Sequence, residues 1–181
     1  MTQRIEVLFS EEVIAETVRT LAHAIAARQP KDLLVVAILK GSFMFAADLL
    51  RALHREGVVP GVEFMMLSSY GAATVSSGTV RIIRDIDTDV SGRAVLLVDD
   101  ILESGRTLAF AKRLMTERGA RSVEIAVLLD KTGKRQAPCE ADHVGFVCPD
   151  KFVVGYGMDA AHQWRQLPFV GVVVDAADGG R

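Results

Sequence analysis

The sequence VLLVDDILESGRTL, residues 95–108, joins an apolar run to two adjacent carboxylates and then to a short polar turn. The apolar run predicts a strand that is buried on both faces, as in a parallel sheet. Apolar residues recur at helical spacing from Thr107 to Arg118, so a helix follows the turn. The stretch therefore predicts a strand, a turn and a helix, the repeating unit of an α/β domain.

The turn has the features of an anion site. Gly105 permits a tight backbone path and the close approach of a ligand. The following helix presents free N–H groups and the positive end of its dipole. Ser104 and Thr107 add hydroxyl donors, so the segment Ser104, Gly105, Arg106 and Thr107 predicts a phosphate site. It is not a Walker loop, because the pattern GxxxxGK[ST] is absent from the sequence.

Asp99 and Asp100 are predicted to close the strand before this turn. Their carboxylates suit the hydroxyl groups of a sugar or a hard cation such as magnesium. Two carboxylates that can bind sugar hydroxyls, next to a phosphate site, predict a site for a ribose 5-phosphate. The alternative is a helix N-terminus preceded by solvated acids.

The rest of the chain indicates one α/β domain with a mostly parallel sheet. Helices are predicted after Ser10 and at residues 43–53, and further strands at residues 33–39, 62–67, 122–129, 144–147, 152–154 and 170–174. Residues 68–93 are polar and predict a mobile excursion with a hairpin strand from Thr79. The clusters LKGS, DDILESGRT and DKTGKR each follow a strand, so we expect them along one edge of the sheet.

The composition excludes several classes of function. A chain of 181 residues suits a single domain, and its net charge of −2 gives no global basic field for nucleic acid. No apolar run approaches the ~18 residues that span a membrane, and the N-terminal sequence MTQRIEVLFSEE does not read as a signal peptide. We expect a cytoplasmic protein with no membrane or nucleic-acid partner.

VLLVDDILESGRTL resembles the signature of the type I phosphoribosyltransferases, enzymes that use phosphoribosyl pyrophosphate. LKGSFMFAADL, SSYGAATVSSG, LLDKTGKR, ADHVGFVCPDKFVVGYGMD and WRQLPFVGVV resemble, in the right order, segments of the hypoxanthine/guanine branch. The resemblance runs from about residue 5 to about residue 175. It implies the type I phosphoribosyltransferase fold in one domain, residues 1–181. That fold is a mostly parallel twisted sheet flanked by helices, with a mobile lid near residues 68–84 and a small C-terminal hood near residues 149–181.

The resemblance also implies roles for single residues. Lys40 and Gly41 would lie at the pyrophosphate, across a cis peptide bond, and Lys131 would donate to the 6-oxo group of the purine. Glu103 would be the acid/base near purine N7, where the family usually has Asp. Asp99 stands where this branch often has Glu. On the residues alone, the pattern favours solvated surface lysines at both Lys40 and Lys131.

The remaining implied contacts lie in the lid, the acid pair and the hood. They are Ser69 and Tyr70 in the lid, Asp99 and Asp100 at ribose or magnesium, Phe152 and Val153 at the base, Asp159 at a second magnesium and Arg165 at the pyrophosphate. Without the resemblance, the pattern favours strand core for Phe152 and Val153, and it fits Asp159 and Arg165 equally to a site role or to a surface ion pair.

The function implied is purine salvage with Mg²⁺ as cofactor. Phosphoribosyl pyrophosphate and hypoxanthine or guanine would give IMP or GMP and pyrophosphate, and the family implies a homodimer or homotetramer. The alternative is a nucleotide-sensing regulator on the same fold that binds RNA or controls transcription. The balanced charge disfavours the regulator.

Overall fold

Six strands form the main sheet of the computed structural model, which describes residues 3–28, 30–69 and 80–175. In chain order they are β2 (Leu33–Leu39), β3 (Gly61–Ser69), β4 (Val80–Arg84), β5 (Ala94–Leu102), β6 (Ser122–Asp130) and β7 (His143–Val147). The order across the sheet is β4-β3-β2-β5-β6-β7, and only the β3–β4 pairing is antiparallel. This confirms the mostly parallel sheet and the hairpin strand predicted from Thr79.

Helices cover both faces of this sheet. Helices α1 (Glu11–Ala27) and α2 (Phe43–Arg55) pack on one face, and α3 (Arg106–Glu117) packs on the other. Successive residues of β2 serve the two cores in turn, since Val35 and Ala37 join the first cluster while Val36 joins the second. A strand buried on both faces needs apolar residues throughout, which explains the unbroken run LLVVAIL.

The helix start at Ser10 is confirmed. Its side chain accepts a hydrogen bond from the Val13 N–H, and Glu11 and Glu12 lie in the first turn, where the helix dipole favours acids. No helix in the described ranges is long and apolar enough to cross a membrane.

A second, smaller sheet was only partly predicted. It is antiparallel, in the order β1-β9-β8, and comprises β1 (Gln3–Phe9), β8 (Val153–Val154) and β9 (Val170–Asp175). β1 was not predicted because its partner β9 lies at the far end of the sequence. This pairing fixes the residues that connect β8 and β9 next to α2 and the end of β2.

The predicted end of strand β5 was wrong. Asp99 and Asp100 lie inside β5 rather than at its end, because the parallel ladder with β6 continues to the pairing of Leu102 with Asp130. Tyr70 and most of the expected lid, residues 70–79, lie outside the described residues, as do residues 176–181 of the expected hood.

Val36→Ala removes two methyl groups from a side chain that is fully buried in the central strand β2. We expect the free energy of unfolding, measured in urea, to fall by about 2 kcal/mol. Val59→Ala is the matched control because Val59 is 86% exposed, and its effect should stay below about 0.5 kcal/mol. Equal losses in the two variants would contradict the packing described here.

Candidate active site

A cavity of about 580 Å³ lies beyond the carboxyl ends of β2, β5 and β6. Nine predicted site residues line it: Lys40, Gly41, Asp100, Glu103, Lys131, Phe152, Val153, Asp159 and Arg165. All three polar clusters that follow strands in the sequence contribute to this lining. The prediction that they share one edge of the sheet is confirmed.

The backbone at Gly41 is held between two other segments. A cis peptide bond joins Leu39 to Lys40, and a Cβ atom added at Gly41 would overlap the Asp100 carboxylate. Gly157, with a φ of +100°, approaches from the other side, and a Cβ there would overlap the Gly41 carbonyl oxygen. Glycine at both positions lets the loop after β2 lie directly between β5 and the hood.

The two adjacent acids differ in environment. Asp99 is buried, and burial together with the neighbouring charge of Asp100 raises the pKa of Asp99 well above its usual range. Asp100 is partly exposed and lines the cavity. Two carboxyl groups of like charge therefore lie next to each other in the strand beside the cavity, and their repulsion is unfavourable.

These oxygen atoms suit Mg²⁺, which proteins usually bind through one or two carboxylates together with substrate phosphates. Within the described ranges, no three side chains of His, Cys, Asp or Glu form a group that could hold a metal by themselves. Asp100 and Asp159 line the cavity and carry the carboxylate oxygens that Mg²⁺ prefers. The assignment of Asp99, Asp100 and Asp159 to a metal stays a prediction.

Glu103 lies between two lysines. Its Oε1 atom is 3.7 Å from Lys131 Nζ and 3.8 Å from Lys134 Nζ, and Lys134 Nζ is also 2.8 Å from Asp150 Oδ1. Lys131 is 6% exposed, so its interpretation as a surface lysine is wrong. Buried lysines are rare unless they are paired, and the pairing here is with the predicted acid/base.

The turn predicted to hold phosphate adjoins this group. Gly105 has a φ of +79°, and a Cβ atom there would lie 2.9 Å from the Ala137 carbonyl oxygen, so the turn needs glycine. Helix α3 begins at the next residue, and Ser104, Arg106 and Thr107 are all partly buried. The cavity lining itself reaches only to Glu103 in this segment.

The hood supplies a ring and an ion pair. Phe152 is 62% exposed at the cavity, so its interpretation as strand core is wrong, whereas Val153 is buried in β8 and also lines the cavity. Arg165 Nη2 lies 2.6 Å from Asp159 Oδ1, and its Nη1 donates to the Gly157 carbonyl oxygen at 2.6 Å. Arg165, predicted to bind pyrophosphate, and Asp159, predicted to bind a metal, thus contact each other directly.

Some site residues were missed and some were not described. Lys134 and Asp150 were not predicted, although Lys134 lies in the quoted cluster DKTGKR; the signal was a basic residue three positions after Lys131. Ser69 is the last residue of β3, and Tyr70 lies outside the described residues. The roles of Ser69 and Tyr70 stay predictions.

The model of the phosphoribosyl transferase domain matches residues 7–161. The hypoxanthine-guanine phosphoribosyltransferase of Bacillus subtilis is 45% identical over 94% of this chain and 94% of its own length. The hypoxanthine phosphoribosyltransferase of Escherichia coli is 38% identical over 96% of this chain and 98% of its own length. Neither relative supports the alternative of a transcription or RNA regulator.

Two further matches differ in extent. The chain spans 26% of the length of the bifunctional protein TilS/HprT of Listeria innocua, at 45% identity over 93% of this chain. A crystal structure of a hypoxanthine phosphoribosyltransferase from Staphylococcus aureus superposes with a TM-score of 0.88, at 39% identity over 97% of this chain and 94% of that one. By sequence and by fold, the chain belongs to the phosphoribosyltransferase family, within its hypoxanthine-guanine branch.

Proposed function

We propose that the protein salvages purines by transferring phosphoribosyl from phosphoribosyl pyrophosphate to N9 of hypoxanthine or guanine, giving IMP or GMP and pyrophosphate. The observation that carries the proposal is the buried Lys131 beside Glu103 in a cavity that Asp100 also lines. Named relatives with these activities support it. A cytoplasmic location and a homodimer or homotetramer belong to the same proposal.

The base subsite would use Lys131 and Phe152. The Lys131 ammonium would donate to the 6-oxo group of the purine, while the exposed Phe152 ring offers a face for stacking. Adenine carries an amino group at that position, which would leave the buried ammonium without an acceptor. The site should therefore favour 6-oxopurines over adenine.

The other ligand groups would extend along the sheet edge. Asp99 and Asp100 would bind the ribose hydroxyls and the turn Ser104–Thr107 the 5′-phosphate, while Lys40, Gly41 and Arg165 would bind pyrophosphate. When bound, Mg²⁺ held by Asp99, Asp100 and Asp159 would compensate charge on the pyrophosphate leaving group. The lid residues Ser69 and Tyr70 would exclude water from the reacting sugar.

Glu103 would act on the proton of the base. As the bond between N9 and the ribose C1′ forms, the bond from C1′ to pyrophosphate breaks, and the carboxylate accepts the proton that N7 releases. Glu is one methylene longer than the usual Asp, and the two lysines near its Oε1 atom hold that longer side chain at the cavity.

The direct test measures turnover of phosphoribosyl pyrophosphate by ultraviolet absorbance with hypoxanthine, guanine, xanthine, adenine and uracil in turn. We expect nucleotide formation with hypoxanthine or guanine. Product with uracil alone would overturn the purine assignment.

Glu103→Gln keeps the shape of the side chain and removes its ability to accept a proton. We expect kcat to fall by about 100-fold or more, since a positioned acid/base contributes roughly that factor. Glu103→Asp, which restores the usual family residue, should keep at least about a tenth of the activity.

The control is Glu117→Gln, because Glu117 lies on α3, is 65% exposed in its side chain and pairs with Arg113. Its kcat should not change. A loss below about tenfold in Glu103→Gln would remove Glu103 from the chemistry.

Lys131→Met keeps most of the buried volume and removes the donor to the 6-oxo group. We expect kcat/KM for hypoxanthine to fall by about 100-fold, with a much smaller change for adenine, so discrimination between the two bases narrows. Lys112→Met makes the same substitution at a more exposed lysine near Asp142 and should leave both values unchanged. A parallel loss for the two bases would show that Lys131 does not read the 6-position.

A further inference from the structure

Three consecutive carbonyl groups, those of Leu102, Glu103 and Ser104, accept hydrogen bonds from one segment, residues 131–137. The donors, in chain order, are the N–H of Lys131, the side chain of Arg135, and the N–H groups of Gln136 and Ala137, at donor–acceptor distances of 2.9, 2.9, 2.8 and 3.0 Å. The turn before α3 is therefore fixed from one side by the loop that also carries Lys131.

These bonds determine which way the amides of the turn point. In a planar trans peptide the C=O and N–H groups point in opposite directions, and the one cis bond among the described residues lies elsewhere, at Leu39–Lys40. The N–H groups of Glu103, Ser104 and Gly105 therefore point away from residues 131–137. Successive N–H groups aimed in one direction form an anion-binding concavity.

Arg135 supplies the side-chain member of this set. Its Nη1 donates to the Glu103 carbonyl oxygen, and its Nη2 donates at 2.5 Å to Oδ1 of Asp130, the last residue of β6. Both side chains are mostly buried, at 21% and 16% exposed. A planar guanidinium reaches two acceptors in fixed directions, which a lysine ammonium does not reproduce.

Packing leaves this link little room to shift. A Cβ atom at Gly105 would lie 3.0 Å from Arg135 Cδ and 3.1 Å from Cys139 Cβ. The aliphatic part of Arg135 thus contacts the turn whose carbonyl its guanidinium binds.

We propose that Arg135 is a positioning residue for the phosphate subsite. It fixes the Glu103–Ser104 peptide so that the amides of the turn face the 5′-phosphate, and it ties this turn to the strand end that leads into Lys131. The inference rests on the proposed function, because the phosphate subsite is part of it. Arg135 acts through the backbone, since its described hydrogen bonds go to protein acceptors.

The test compares binding of IMP and inosine by calorimetry, because the two ligands differ only in the 5′-phosphate. The wild-type protein should bind IMP more tightly than inosine. Arg135→Ala should weaken IMP binding by about tenfold or more and inosine binding by less than about twofold. Arg135→Lys, which keeps the charge without the two-pronged geometry, should show most of the same selective loss.

Arg121→Ala is the matched control. Arg121 also donates to two backbone carbonyls, those of Gly92 and Lys31. These lie just before the amino ends of β5 and β2, whereas the cavity lies beyond the carboxyl ends of the strands. Removing it should leave the ratio of the IMP and inosine affinities at the wild-type value. Thermal unfolding of each variant confirms that the folded protein is being measured.

Three results would overturn the inference: an unchanged ratio in Arg135→Ala, an equal loss of both ligands, or full recovery in Arg135→Lys. The last would mean that positive charge alone is needed. If Arg135→Ala does not fold, the ratio in Arg135→Lys decides by the same criteria. Equal affinity of the wild-type protein for IMP and inosine would instead refute the phosphate subsite, and with it the proposed function.

Discussion

The site depends on excluded volume at Gly41. The backbone there touches the Asp100 carboxylate on one side and Gly157 on the other, and a Cβ at either glycine would overlap its neighbour. Three chain segments that are far apart in sequence can therefore meet only because two of them lack side chains at the contact. The close approach brings β5, the loop after β2 and the hood together at the cavity, which all three line.

Local pattern predicted the parts of the fold that are determined by burial on both faces. The run LLVVAIL and the strand before Asp99 need apolar residues on both sides, so their sequences alone identify them. β1 gave no such signal, since its stability comes from antiparallel pairing with β9, more than 160 positions along the chain. The extension of β5 through Asp100 was missed because the ladder with β6 overrides the preference of carboxylates for strand ends.

The candidate site shows the same contrast between features that local sequence determines and features that long-range packing determines. Five of the nine predicted residues that line the cavity, Lys40, Gly41, Asp100, Glu103 and Lys131, lie at the carboxyl ends of parallel strands, which that topology brings together. The other four lie in the hood. The burial of Lys131 and the exposure of Phe152 reverse what each residue type suggests on its own. Both depend on how the hood and the loop after β6 pack, and a single sequence contains no direct signal for that packing. The link from Arg135 to a backbone carbonyl is of the same kind.

Most charges around the cavity already have partners in the protein. Lys131 and Lys134 lie near Glu103, Arg165 pairs with Asp159, and Arg135 pairs with Asp130. A charged ligand would therefore exchange partners with these groups instead of meeting isolated charges.

The acid pair on β5 differs from these compensated groups. Burial and the charge of Asp100 raise the pKa of Asp99, so the folded state holds a proton more tightly than the unfolded chain does. By linkage, the contribution of Asp99 to stability falls as the pH rises from the unfolded pKa towards the folded one. Above the unfolded pKa, the buried carboxyl of Asp99 therefore opposes folding, and folding alone gives no reason for a carboxylate in this buried position. A bound cation or the hydroxyl groups of a sugar would lower that cost, which supports the proposal that the ribosyl ligand binds at this strand.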